Sequence, residues 1–196
     1  MKLRSILTAL LIFTAIVGTR ALAQDKAPML VGGQLELCLP MGEYADKVDA
    51  GFGFVGNFHY GVQPRLWLVG SVGYESFPRK NANASIDGSD GSFFIHAGAR
   101  YELSEGDGVI PYVGAKIGLH YWSWSITQKQ FVGSYESSES DISIGLSPMF
   151  GVLYPITETI TLDAALKYTI LVRDKNNGND ATHFAIQAGV LIPLNL

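Results

Sequence analysis

This 196-residue chain contains one cysteine, Cys38, so no disulfide within the chain can form. After the first two dozen residues no stretch of 18 apolar residues occurs, which leaves no candidate for a helical membrane span. Positive charge is also scarce. The opening MKLRSILTALLIFTAIVGTRALAQ carries Lys2, Arg4 and Arg20 and no acid. The rest therefore holds 11 basic against 18 acidic side chains, a net charge of −7 where the whole chain has −4. An acidic balance of that size argues against nucleic acid as a partner, because binding phosphate needs a basic surface.

That opening has the pattern of an export signal. A positive start is followed by an almost wholly apolar stretch from 5 to 18, then by the small residues Ala21-Leu22-Ala23. Its apolar part is shorter than the roughly 20 residues a helical span needs. Residues 1–23 are therefore expected to be a cleaved signal peptide and 24–196 the mature domain. With no cysteine beside the junction, a lipid-anchored form is not expected.

The mature region alternates. In FFIHAGARYEL, residues 93–103, Phe93, Ile95, Ala97, Ala99, Tyr101 and Leu103 form one series, and Phe94, His96, Gly98, Arg100 and Glu102 the other. Period two means a strand with one apolar and one polar face. Such stretches recur at about 30–39, 51–61, 65–77, 92–103, 110–124, 141–154, 159–172 and 182–194. Each is long enough for the roughly 9–11 residues that a tilted strand needs to cross a bilayer. The connections GVQPR, SEGDGV and PITET are tight. Those between them, MGEYADKVDA, PRKNANASIDGSDG, SITQKQFVGSYESSES and RDKNNGNDA, are longer and polar. A meander crossing a membrane eight times sorts its loops this way, with short periplasmic turns and long outside loops. A soluble sandwich has no reason to do so, although alternation alone is compatible with one.

Sidedness points the same way. Leu162, Ala164, Leu166, Tyr168 and Ile170 oppose Asp163, Lys167 and Thr169; Val113, Ala115, Ile117 and Leu119 oppose Tyr112, Lys116 and His120. Nine glycines, among them Gly53, Gly98, Gly118 and Gly145, share the polar parity, where small residues let a narrow lumen fill. Aromatic residues gather near strand ends as interface girdles do: Tyr60, Trp67, Tyr101, Tyr112 and Tyr154 by the short turns, and Phe52, Phe54, Tyr74, Phe77, Tyr121, Trp122 and Trp124 by the long loops. Pro148 falls mid-strand on the apolar parity, where a bulge is expected.

The segments PYVGAKIGLHYW (111–122), GVLYPITETITLDAALKY (151–168) and FAIQAGVLIPLNL (184–196) resemble the small outer-membrane β-barrel domain family of OmpA/OmpX type. The resemblance implies an all-β fold, an eight-stranded antiparallel up-and-down transmembrane β-barrel in the outer membrane of a Gram-negative bacterium. It also implies outer-membrane lipid and lipopolysaccharide as surroundings, and insertion by the barrel-assembly machinery. Family members usually end on an aromatic residue; this chain ends on Leu196. The family has interior ion-pair networks, and a lumen network of Glu36, Arg100, Lys116, Asp163 and Lys167 is expected as a structural feature.

No catalytic, cofactor or metal site follows from the sequence. His59, His96, His120 and His183 lie on separate strands without ligand-like spacing. In RDKNNGND (173–180) the glycine sits one position early for a calcium loop, and Ala185 stands where the bidentate Glu belongs. Ser123 and His120 fall on opposite strand faces. Cys38 reads as an inward small residue. The expected role is a monomeric, non-enzymatic barrel whose surface loops contact host or envelope ligands. The alternative is a narrow porin-like conduit for small or hydrophobic solutes.

Overall fold

The computed structural model describes residues 27–80, 86–106, 108–130, 133–172 and 181–194. The expected signal peptide (residues 1–23), Asn83, Phe131, the 173–180 segment and Leu196 lie outside them. Eight antiparallel strands close on themselves in sequence order: β1 Met29–Met41, β2 Gly51–Gln63, β3 Leu66–Pro78, β4 Ile86–Glu102, β5 Ile110–Gln130, β6 Gly133–Pro155, β7 Thr161–Val172 and β8 Thr182–Pro193. β1 and β8 pair from Leu30↔Pro193 to Met41↔Thr182, which removes both free edges. No helix among the described residues is long and apolar enough to cross a membrane. Strands do the spanning.

The alternation sorts inside from outside. Leu35, Phe52, Ile95, Ile117, Leu119 and Ile142 are exposed on the outer wall, Leu35 at 72%. Across the same wall Glu36, Glu75, His96, Arg100, Lys116 and Lys167 are buried. In FFIHAGARYEL, Phe93 and Ile95 face out while Phe94, His96 and Arg100 face in. Large apolar side chains would not stay on the outer wall in water. The outer medium is therefore hydrocarbon, where this inversion is the stable one.

Four expectations change. First, SITQKQFVGSYESSES is not an irregular loop: β5 and β6, 21 and 23 residues long, stay paired to Gln130↔Gly133. Residues Ile86–Gly91 of β4 join the same projection by pairing with β5 between Ser123 and Gln128. A span needs roughly 9–11 residues, so about ten residues of β5, roughly 30 Å at ~3.3 Å each, project past the membrane.

Second, no register shift occurs at Pro148. It pairs with Ala115 on β5, and the β6–β7 ladder resumes in the same register after skipping Ser147 and Pro148. The proline lacks an N–H, so the lost ladder bond is tolerated on the β7 side without an inserted residue. Third, the first connection turns inward. The short 3-10 helix Gly42–Tyr44 drops Tyr44 and Val48 into the barrel mouth, and Asp49 N donates to Pro78 O at 2.8 Å.

Fourth, not all the end-lying aromatics form a belt. Tyr101, Tyr154, Phe52, Phe54, Tyr74 and Tyr121 face outward, but Phe77, Tyr112 and Trp122 are wholly buried inside. Arg100 lies over the Trp67 ring at 5.4 Å, and Trp124 packs on the interior cluster. Nearness to a strand end sets height; parity sets the side.

Candidate functional site

The lumen is filled in layers. At the long-connection end Tyr44, Phe77, Trp122 and Leu171 form an apolar plug with Cys38 and Val48. The Tyr44 ring meets Phe77 edge-on at 5.4 Å and Trp122 at 5.9 Å, and Phe77 stacks on Trp122 at 6.0 Å. At the short-turn end Tyr112, Leu153, Ala165 and Leu191 close the other mouth, with Leu30, Ile110 and Met149 packed against them. Charged and polar groups occupy the middle.

Of the five nominated residues, Glu36 and Lys167 meet directly. Lys167 Nζ reaches from β7 to Glu36 Oε1 on β1 at 2.7 Å, and across the lumen to Glu75 Oε1 on β3 at 3.0 Å. His183 Nε2 on β8 lies 3.2 Å from the same Glu75 oxygen, and Gln187 donates to Glu36. Gly53 makes room for this group: a Cβ there would stand 3.0 Å from Glu36 Oε2 and 3.1 Å from Glu75 Cγ. Lys167 Nζ also lies over the Phe94 ring at 4.9 Å.

The other three nominees sit apart from that pair. Arg100 Nη2 donates to Glu102 Oε1 at 2.9 Å, and its guanidinium lies 5.2 Å over Tyr112. Asp163 accepts from the Tyr112 hydroxyl at 2.7 Å. Lys116 donates to Ser71 at 3.2 Å, and Ser71 passes the chain through Asn57 to Gln34 at 2.7 and 2.8 Å. The five nominated residues thus fall into three local groups rather than one network. A cavity of about 10 Å³ touches Gln34, His59, Arg100, Lys116 and Asp163, room for about one water molecule.

A fourth group escaped the sequence reading. His96 Nε2 and His120 Nε2 are 2.8 Å apart, and Ser92 Oγ lies 2.9 Å from His120 Nδ1. Phe94 stacks on His96 at 4.6 Å. Polar parity already put the two histidines on one wall; the Ser92 contact depended on stagger. Ser123 is exposed on the outer face while His120 is buried, so the two do not converge.

Comparison with known proteins gives a consistent fold. The family model described as outer membrane protein beta-barrel domain matches residues 8–191. No curated protein sequence matches the chain. Among solved structures, Neisserial surface protein A (NspA) is 22% identical with a TM-score of 0.57, covering 86% of this chain and 99% of its own. Ail, the attachment invasion locus protein of Yersinia pestis, is 14% identical with a TM-score of 0.53, covering 86% and 97%. OprG from Pseudomonas aeruginosa is 13% identical with a TM-score of 0.55, covering 88% and 98%.

Proposed function

We propose, from the premise that this chain belongs to the outer membrane protein beta-barrel domain family, that it is a plugged, non-conducting barrel acting through its surface. It is an integral protein of the outer membrane. The observation that carries the reading is the filled lumen: an apolar plug at each mouth with paired charges between. Eight strands enclose little more than their own side chains, so a solute path would require both plugs to move.

The working part is then the long-connection end, read as extracellular. The β4–β5–β6 projection carries paired backbone well beyond the bilayer, and its sequence is polar, which suits a platform for envelope or host-surface ligands. Pairing of β1 with β8 closes the wall within the bilayer, which suits a monomer inserted by the barrel-assembly machinery. The Ser123–His120 separation supports a non-enzymatic role.

Two measurements test this. In planar bilayers the purified protein should show no sustained single-channel steps; regular steps would favour a narrow conduit. Deleting residues 127–138 should leave a folded barrel, seen as a boiled-against-unboiled gel shift, and abolish adhesion or complex formation. Undiminished adhesion by the folded deletion variant would refute the surface role.

A further inference from the structure

Just beneath the aromatic plug, three strands bring together side chains that sequence spacing keeps far apart. Cys38 of β1, Glu75 of β3 and His183 of β8 each offer one ligand atom, and those atoms all lie within 4.8 Å of one another. We propose that these three residues hold a thiophilic divalent cation of the Zn²⁺ class inside the barrel. A thiolate, an imidazole and a carboxylate form the mixed S/N/O donor set that suits Zn²⁺ and Co²⁺ and that Mg²⁺ or Ca²⁺ avoid. Three protein ligands leave a fourth position for a water.

Two independent observations point to a cation. Glu75 Oε2 and His183 Nδ1 have no hydrogen-bond partner among the described residues, although both side chains are fully buried. Buried polar atoms are rarely left in that state, and a metal bound through these two would satisfy them. The second is charge. With the His183 imidazole neutral, as a metal ligand must be, Glu36 and Glu75 share the single ammonium of Lys167, leaving one surplus negative charge where unpaired charge is costly. Binding releases the thiol proton of Cys38 to solvent. Three anions, Glu36, Glu75 and Cys38, then face the divalent metal and Lys167, and the group is neutral. Lys167 would orient the Glu75 carboxylate from behind, as outer partners of metal ligands do. The plug seals the site, so the ion enters as the barrel forms.

Co²⁺ is the probe. The protein is unfolded from the membrane fraction, refolded in detergent with Co²⁺, and freed of excess metal. The expected result is about one Co²⁺ per barrel, with a thiolate-to-metal charge-transfer band in the near ultraviolet. Cys38→Ser should fold, by its gel shift, and lack that band; His183→Gln should lose metal to a chelator at least about tenfold faster. Less than half an equivalent bound by a folded wild-type barrel, or the same band in Cys38→Ser, overturns the proposal.

Discussion

Replacing Lys167 by Met is the sharpest test of how the barrel interior is held. The ammonium is buried between Glu36 and Glu75, at 2.7 and 3.0 Å, with side-chain exposures of 1%, 0% and 0%. At an effective dielectric of ~20 each contact carries roughly 6 kcal/mol of Coulomb attraction. Desolvating the ammonium offsets several kcal/mol of that sum. Methionine fills similar volume but leaves two carboxylates facing each other without the ammonium that joined them. Removing one partner from a buried pair costs about 3–5 kcal/mol, two to four decades in the unfolding constant. That is a large part of the roughly 5–15 kcal/mol that holds a typical domain together. Equilibrium unfolding in guanidinium chloride, from detergent micelles and followed by tryptophan fluorescence, would measure it. Adding Glu75→Gln to the variant should recover part of the loss by removing one of the stranded charges. A destabilisation below about 1 kcal/mol, or a double variant no better than the single, would refute the ion pairs as the interior's main tie.

Lys116→Met should lower unfolding stability by about 1–3 kcal/mol, because it strands the buried Ser71–Asn57–Gln34 relay, while bilayer conductance stays flat. Ile117→Arg, on the exposed outer wall, should cost about 2–4 kcal/mol by the same unfolding measurement if that wall meets hydrocarbon. Gly118→Val should cost about 1–3 kcal/mol, since its Cβ would run into the Ile95 carbonyl. Gly70→Ala, with nothing within 4 Å, should change stability by less than about 0.5 kcal/mol in parallel melts.

The barrel was legible because a membrane writes its contrast at every second residue. Leu35 faces lipid and Glu36 faces the lumen, so parity alone assigns both. Where that contrast ends, the sequence stops speaking. QKQFVGSYESSES, residues 128–140, shows no alternation in its sequence, yet the strands on either side of it stay paired to Gln130↔Gly133. Tyr44 and Val48 did carry a signal, two apolar residues four apart in a polar connection, and it marked the segment that folds back into the mouth.

Partners inside the lumen are a different kind of information. Lys116 and Lys167 have the same parity, charge and chain length, yet one meets a hydroxyl and the other two carboxylates. Parity fixes the wall a side chain leaves; the stagger between strands fixes its height. Height decides what it meets. Lipid accepts any apolar outer face equally, so the outside of such a barrel gives it an address but little uniqueness. The specific contacts that favour this register over a slipped one are those that reach across the lumen, such as Lys167 from β7 to Glu75 on β3. A slip by one residue would send Lys167 into lipid, and a slip by two would part it from both carboxylates. The same polar interior that leaves no open bore is thus what selects the ladder around it.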